Sequence, residues 1–134
     1  MYHSNDAGEN WSRVETGLVP GFGFPLLLDR RSNSLYAAPL ESDEFRIPPD
    51  GAFRILRSRD GGKSWQALTE GLPQKHAYFG VMRGAMDLDR LDPCGVYFGT
   101  TGGDVYISAD GGDRWTALPC RLPRIHSVDA FTED

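Results

Sequence analysis

The chain has 134 residues, enough for one ordinary domain, and 40% of them are hydrophobic, enough for a core. Its sixteen glycines and nine prolines favour short strands joined by turns over helices. The net charge of −5 is spread along the chain without a basic block, which argues against nucleic acid as a partner. No apolar run reaches the length of a transmembrane helix, and the first residues lack the charged and apolar regions of a signal peptide. We therefore expect a cytoplasmic protein with no membrane partner.

The residue types that most often bind metals are few in this chain. It has two cysteines, Cys94 and Cys120, and three histidines, His3, His76 and His126. Neither set has the spacing of metal ligands, and the expected cytoplasmic location favours two free thiols over a disulfide. We therefore expect neither a metal nor another cofactor.

The first predicted element is a β-hairpin around the octet SNDAGENW, residues 4–11. Short strands over residues 2–4 and 11–16 flank this octet. The octet has the form Ser-x-Asp-x-Gly-x-x-Trp, and the same form occurs twice more in the chain. Each of the three tryptophans closes one copy, so an internal repeat is indicated.

The second unit is predicted to contain four strands, over residues 24–29, 35–40, 53–58 and 65–69. Apolar residues alternate with polar ones on both sides of its octet, SRDGGKSW at 58–65, which is typical of half-buried strands. A long connection, ESDEFRIPPDG, joins the second strand to the third.

The third unit repeats this pattern, with predicted strands over residues 78–87, 95–100, 104–108 and 115–118. Its octet, SADGGDRW, occupies residues 108–115. The glycine-rich stretch GTTGGD between its second and third strands is predicted to be a hairpin turn, because a phosphate loop would need a helix after it. A last strand is predicted over residues 125–131.

Every conspicuous residue of the octet has a structural explanation. The aspartate accepts hydrogen bonds from turn amides, and the serine bonds to the local backbone. The glycine adopts a conformation that a β-carbon disfavours, and the tryptophan covers the hairpin. One aspartate per copy is too few for a calcium site. We assign these structural roles to Ser4, Asp6, Gly8, Trp11, Ser58, Asp60, Gly62, Trp65, Ser108, Asp110, Gly112 and Trp115.

The octet resembles the Asp-box, or BNR repeat, of sialidases, xyloglucanases, sortilin-type receptors and photosystem assembly propellers. In those proteins it forms a hairpin between the third and fourth strands of a propeller blade, away from the active site. The stretches DEFRIPPDG and YISADGGDRW also resemble the C-terminal part of bacterial proteins labelled BNR-repeat glycosyl hydrolase or sialidase-like. The resemblance implies a β-propeller and says little about activity.

We therefore predict an all-β fold made of antiparallel four-stranded blades of a β-propeller, with about two and a half blades present. The predicted divisions are a half blade over 1–20, complete blades over 21–73 and 74–123, and an extra closing strand over 124–134. Closed propellers have roughly four to eight blades. Further blades would come from a longer parent chain or from self-association, so the propeller is either partial or completed by an oligomer.

Resemblance to the sialidases implies an arginine triad for the substrate carboxylate, a tyrosine–glutamate nucleophile pair and an aspartate as acid/base. The stretch FRIP, residues 45–48, resembles a landmark of that family and makes Arg46 a candidate. The family's arginine lies on an innermost strand, whereas Arg46 lies in a connection and precedes two prolines, which favours a loop. Arg83 is the second candidate, because first strands line a propeller's channel. A charge that faces solvent or an acid of a neighbouring blade is the commoner explanation for Arg83.

The remaining catalytic candidates have no motif around them. Tyr78 and Glu70 are near Arg83 in sequence. Glycosidases generally need two carboxylates at the scissile bond, and the long connection offers several, although a solvated acidic loop is the commoner explanation for them. These carboxylates are Glu41, Asp43, Glu44 and Asp50.

Two functional classes are consistent with the sequence. The first is a binding or scaffold module without a complete catalytic site, with a carbohydrate or a protein as its ligand. The second is a portion of a sialidase-like glycoside hydrolase whose active site needs further blades or a partner chain. We favour the first for this chain taken alone, because function depends on a complete site rather than on a fold.

Overall fold

The computed structural model describes residues 2–14 and 22–132, whose regular structure is almost entirely β. Ten strands and one short 3-10 turn, Pro49–Gly51, are present, and the described residues contain no α-helix. The strands are β1 Tyr2–His3, β2 Ser12–Arg13, β3 Phe22–Asp29, β4 Ser34–Leu40, β5 Ile55–Ser58, β6 Gln66–Leu68, β7 Met86–Leu88, β8 Val96–Gly99, β9 Val105–Ser108 and β10 Thr116–Ala117.

The strands form three separate antiparallel sheets in chain order. Strands β1 and β2 form a two-stranded hairpin sheet, β3 to β6 form a middle sheet, and β7 to β10 form a last sheet. In both four-stranded sheets each strand pairs with its neighbour in sequence, which is the simple meander. The prediction of an all-β chain with about two and a half antiparallel four-stranded units is confirmed.

The register places equivalent residues of the two four-stranded sheets in equivalent rows. In the middle sheet, Tyr36 pairs with Arg57, and Arg57 pairs with Gln66. In the last sheet the corresponding row contains Tyr97 and Ile107. Because side chains alternate between the two faces of a strand, each row lies on one face of its sheet.

One hydrophobic core spans the middle and last sheets. Its centre is aromatic: the ring of Phe98 lies 5.2 Å from that of Phe53, 5.0 Å from that of Tyr106 and 5.1 Å from that of Trp115. Phe53 and Phe98 are fully buried. Such contacts between rings add to the free energy gained by burying their area. The two sheets are therefore two layers around a shared core.

The predicted strand over residues 78–87 is wrong in most of its length, since only Met86–Leu88 is a strand. The amide of Gly80 donates to the Thr101 hydroxyl at 3.0 Å. The amide of Ala85 donates to the Met82 carbonyl at 3.0 Å, which closes a turn. The apolar run that predicted a strand instead packs as an irregular segment whose backbone polar groups bond to loops.

The predicted strand over residues 125–131 is reduced to one parallel bridge, between Gly84 and Ser127. The Val128 amide donates to the Gly84 carbonyl at 2.9 Å, and the Ala130 amide donates to the Asp87 carboxylate at 2.8 Å. This segment therefore lies beside the start of β7 in the last sheet, but it does not form a regular ladder of backbone hydrogen bonds with it.

Part of the predicted first unit lies outside the described residues. Strand β2 ends at Arg13, and the structure describes this segment only as far as residue 14. Residues 15 and 16 of the predicted strand 11–16 therefore cannot be compared with it. The predicted division between residues 20 and 21 falls there too, and the domain boundaries stay a prediction.

Candidate functional site

Each octet folds into the same turn, which its serine and aspartate hold together. In the middle sheet, the Ser58 hydroxyl donates to Asp60 Oδ1 at 2.8 Å and accepts the Gly62 amide at 2.8 Å. Asp60 Oδ1 also accepts the Ser64 amide at 2.9 Å. The other two turns repeat these bonds with Ser4, Asp6, Gly8 and Asn10, and with Ser108, Asp110, Gly112 and Arg114.

The glycine of each octet has a left-handed backbone, which a residue with a β-carbon rarely adopts. The φ angles are +97° at Gly8, +89° at Gly62 and +94° at Gly112. At Gly112 there is a second requirement, because a β-carbon there would lie 2.6 Å from a methyl carbon of Leu68 in the middle sheet. The third octet therefore needs glycine both for its own turn and for packing between sheets.

The turn aspartates are held in the ionised form. Hydrogen bonds from the residue four positions later lower the pKa of both Asp6 and Asp60 to about 2. Burial opposes ionisation of Asp110, but hydrogen bonds from the amide four positions later and from the octet serine leave its pKa lowered. A carboxyl group with such a low pKa is a poor general acid at neutral pH. These three aspartates are suited to holding turns rather than to proton transfer.

The tryptophans of the three octets differ in exposure despite the shared turn. The indole N–H groups of Trp11 and Trp65 donate to the carbonyls of Gly8 and Gly62 at 2.9 and 3.0 Å. Trp65 and Trp115 are 9% and 5% exposed, whereas Trp11 is 63% exposed. Only the octets that belong to a four-stranded sheet bury their indole.

The third Asp-box turn also forms the junction between the two four-stranded sheets. Arg57 Nη1 donates to the Gly111 carbonyl at 2.7 Å and pairs with the Asp113 carboxylate at 2.8 Å. The Tyr36 hydroxyl donates to the same Gly111 carbonyl at 3.0 Å. Arg57 and Tyr36 are only 4% and 2% exposed. Two buried polar groups of the middle sheet therefore bind the turn of the last sheet.

The sequence reasoning did not find Arg57 and Tyr36. The signal was present, because strand alternation places Arg57 on the same face as Ile55, which is fully buried. An arginine at a core-facing position needs a polar partner. The partner lies 54 residues away in sequence, at Gly111, and only the packing of the two sheets identifies it.

The hairpin sheet contacts the middle sheet more loosely. His3 directly precedes the first octet as Arg57 precedes the second, yet His3 is exposed. Together with Gly61, Gly62 and Lys63 of the middle turn it lines a cavity of about 470 Å³. The contact between the hairpin sheet and the middle turn is therefore open, in contrast to the filled junction between the middle and last sheets.

Loops gather at the edge opposite the Asp-box turns, because successive connections of an antiparallel meander alternate between its two ends. The Thr101 amide donates to the Gly80 carbonyl at 2.9 Å, and the Ala77 amide donates to the Gly51 carbonyl at 2.9 Å. We call this edge the loop edge; it comprises residues 41–54, 69–85, 100–104 and 118–127.

Arg46 lies at the loop edge and is bound within its own loop. Its Nε donates to the Asp43 carbonyl at 2.9 Å, and its Nη2 pairs with the Asp43 carboxylate at 2.8 Å. The guanidinium carbon lies 5.2 Å from the centre of the Phe24 ring. The FRIP stretch is therefore a loop that satisfies its own arginine, and Arg46 does not lie on an innermost strand.

The other predicted catalytic candidates are spread over the loop edge. Arg83 is exposed in the turn after Met82. Tyr78 is 67% exposed, and its hydroxyl lies 3.5 Å from Nδ1 of His76. Glu70 pairs with Arg114 at 3.3 Å and makes no hydrogen bond to Tyr78 among the described residues. The carboxylates Glu41, Asp43, Glu44 and Asp50 are all exposed.

A second cavity, of about 410 Å³, lies between the ends of β3 and β7 at the Asp-box edge. Its acidic groups already serve structural roles. Asp29 and Asp89 each accept amides of the turn that follows them, and Asp87 accepts the Ala130 amide. Burial disfavours the ionised forms of Asp29 and Asp89, but hydrogen bonds outweigh it and lower the pKa of both. The Ser32 hydroxyl and the turn amides donate to Asp29, and the Gly95 amide and the Tyr97 hydroxyl donate to Asp89. This cavity offers no free acid–base pair.

The cysteines and the metal-binding residue types add no site. Cys94 is buried, which raises the pKa of its thiol, and Cys120 is exposed. Across residues 2–14 and 22–132, no three His, Cys, Asp or Glu side chains are grouped so that they could hold a metal ion. That same part of the chain has no helix long and apolar enough to cross a membrane. The cytoplasmic location stays a prediction.

Comparison with known proteins identifies the repeat and the fold. The family model of the BNR/Asp-box repeat matches residues 56–67, which include the second octet. Among solved structures, the intramolecular trans-sialidase from Ruminococcus gnavus, in complex with oseltamivir carboxylate, is similar with a TM-score of 0.50 and 20% identity. The similarity covers 91% of this chain and 25% of that chain. A search of curated proteins finds no match.

These findings agree with the architecture. The chain carries a BNR/Asp-box repeat at residues 56–67, and its sheets fit the blades of a sialidase-like β-propeller. It spans about a quarter of the length of the trans-sialidase it resembles. At 20% identity the likeness shows the fold alone.

Proposed function

We propose that this chain, a sialidase-like propeller segment with BNR/Asp-box repeats, acts as a binding or scaffold module without catalytic activity of its own. One observation carries the proposal: the first candidate for a catalytic arginine and the candidate glutamate already have partners of their own. Arg46 is paired with Asp43 inside one loop, and Glu70 is paired with Arg114. A catalytic arginine or carboxylate must instead be free to meet the substrate.

The loop edge is the surface that we assign to binding. Two large aromatic side chains are open to solvent there, with Phe45 57% exposed and Tyr78 67% exposed. Exposed aromatic residues on loops over a rigid scaffold are a frequent feature of binding surfaces. The shared core of the middle and last sheets supplies the scaffold. The ligand class is a carbohydrate or a protein.

A sialidase-like glycoside hydrolase portion is the second candidate. The likeness to a trans-sialidase favours it. So does the proximity of the Arg46 loop to the segment before Arg83: a β-carbon on Gly80 would lie 3.1 Å from the Arg46 carbonyl oxygen. Further blades or a partner chain would then complete the site.

Hydrolysis of a fluorogenic sialoside separates the two candidates. For the chain shown to be folded by circular dichroism, we expect no turnover above the buffer rate. Arg59→Ala, an exposed arginine outside the loop edge, is the matched control for Arg46→Ala. Turnover that persists in Arg59→Ala and is lost in Arg46→Ala would establish the hydrolase instead.

A further inference from the structure

The junction inside this chain shows how one sheet joins the next. The middle sheet offers a face with Tyr36 and Arg57, and the last sheet inserts an Asp-box turn against it. The contact is close, since Gly111 and Gly112 at the tip of that turn are both buried. The junction therefore has two complementary halves, a sheet face and a turn.

A second turn of the same kind is uncovered at the hairpin sheet. Its internal hydrogen bonds match those of the third turn, so it is fully formed. Its tip residues, Ala7 and Gly8, are exposed, unlike Gly111 and Gly112. Trp11 and Tyr2 of the same hairpin sheet are 63% and 66% exposed. Large apolar side chains that are exposed together on one small sheet indicate an interaction site.

A second face of the same kind is present on the last sheet. Tyr97 and Ile107 occupy the register positions of Tyr36 and Arg57. They are only half-buried, and Leu118, which directly follows β10, is 38% exposed. No turn among residues 2–14 and 22–132 packs on this face as the third Asp-box turn packs on the middle sheet.

We propose that the face of the last sheet binds the hairpin-sheet turn of a second copy of this chain. The occupant is a second copy because the exposed turn is the same element that the internal junction buries. The two surfaces are different patches of one molecule, so the contact is head-to-tail and generates a ring or an open chain of copies. This association is independent of whether the loop edge binds a ligand or catalyses a reaction.

The chemistry of the contact differs from that of the internal junction in one respect. Ile107 stands where the middle sheet has Arg57, and Glu9 stands where the third turn has Asp113. The ion pair of the internal junction therefore has no counterpart between copies. The contact is mainly apolar, and salt should not weaken it, because screening acts on charges.

Sedimentation velocity over a range of protein concentrations tests the association. We expect a concentration-dependent rise in mass that persists in 0.5 M salt. Ile107→Asp should raise the dissociation constant about tenfold or more, because it places a charge in the apolar contact. Leu122→Asp is the matched control, since it places the same charge at an exposed leucine of the loop edge and should leave the mass unchanged. A monomer at every concentration, or equal effects of the two substitutions, would overturn the proposal.

A gain-of-contact variant gives a second test. Ile107→Arg restores the arginine of the internal junction at the face of the last sheet, opposite Glu9 of the second copy. We expect tighter association at low salt, lost in 0.5 M salt or in the double variant Ile107→Arg/Glu9→Gln. Circular dichroism verifies folding of each variant. A folded Ile107→Arg chain without a salt-dependent gain would contradict the proposed pairing of surfaces.

Discussion

Asp60 shows how one ionised side chain can hold a turn at the surface. Its two carboxylate oxygens accept the Ser64 amide and the Ser64 hydroxyl, and the Ser58 hydroxyl also donates to it. These bonds lower its pKa from 3.8 to about 2. Because the folded state then binds a proton less readily than the unfolded chain, stability depends on pH in the acidic range.

Replacement of Asp60 by asparagine should change that pH dependence. The carboxylate stabilises the fold fully above the unfolded pKa near 4, and the stabilisation is lost as pH falls towards 2. The Tm difference between the natural chain and Asp60→Asn should therefore be largest above pH 5 and shrink between pH 4 and about 2. Thermal unfolding followed by circular dichroism measures it, with Asp129→Asn, at an exposed position outside the turns, as control. A difference that is constant with pH would refute this role.

Arg57 is the residue on which we expect the junction to depend most. Arg57→Leu removes the hydrogen bond to Gly111 and the ion pair with Asp113. We expect the free energy of unfolding to fall by about 1–3 kcal/mol, the usual range for losing a charged hydrogen bond at a buried site. Urea unfolding measures the change. Arg59→Leu, two residues away and exposed, should stay within about 0.5 kcal/mol of the natural chain.

At the scale of elements, the crossover from the middle to the last sheet passes very close to β10. Gly71 has φ +86°, and a β-carbon there would collide with the Trp115 carbonyl oxygen. The Trp115 amide donates to the Glu70 carbonyl at 2.9 Å, which fixes the approach of the two segments. Glycine is thus required at this crossover by backbone contact and not by the turn alone.

Gly71→Ala should therefore be much more destabilising than Gly61→Ala. Both glycines are left-handed, with φ +86° and +72°, but a β-carbon on Gly61 would meet nothing within 4 Å. Both variants carry the cost of the left-handed backbone, roughly 1–2 kcal/mol. Gly71→Ala adds a clash that should lower the free energy of unfolding by about a further 2 kcal/mol. Urea unfolding of the two variants side by side is the measurement, and equal losses would contradict the close approach.

The strands predicted from the alternation of apolar and polar residues are present wherever a neighbouring strand can form hydrogen bonds with them. Strands β5, β6, β8, β9 and β10 lie within their predicted ranges, and β4 begins one residue before its predicted range. Prediction failed over residues 78–85, where an apolar sequence forms no strand. Its backbone bonds to loops of the same edge instead, through Gly80 and Thr101. Apolar periodicity reports which side chains are buried, but it does not report which backbone partner is within reach.

At the scale of the whole molecule, the shared core should make the middle and last sheets unfold together. Phe53, two residues before β5 of the middle sheet, and Phe98 of the last sheet are in ring contact at the centre of that core. The hairpin sheet has no share in it, and all residues of β1 and β2 are exposed. Elements with few buried contacts open at lower free energy than the core.

Hydrogen exchange should show this difference directly. Amides of residues 104–118 should exchange slowly and at the global rate of unfolding, whereas amides of residues 2–14 should exchange fast. The two segments contain the same Asp-box turn, so the comparison separates the stability of the turn from that of its surroundings. Mass spectrometry of peptic peptides measures both in one sample of dilute protein. Equal protection of the two segments would contradict a hairpin sheet that is independent of the core.

The amino-acid sequence by itself determined the Asp-box turn and the β-rich repeat. The turn needs only contacts within seven residues, such as that between Ser58 and Gly62, and these form wherever the octet occurs. Alternation of apolar residues determined the strands around it in the same local way.

Only the tertiary structure decided which copy of the octet is buried and what each turn contacts. Trp11 and Trp115 belong to octets of the same form, Ser-x-Asp-x-Gly-x-x-Trp, yet they are 63% and 5% exposed. Arg57 meets Gly111 across 54 residues of sequence. Burial and long-range partners depend on how sheets pack, and that is a property of distant segments together rather than of any octet.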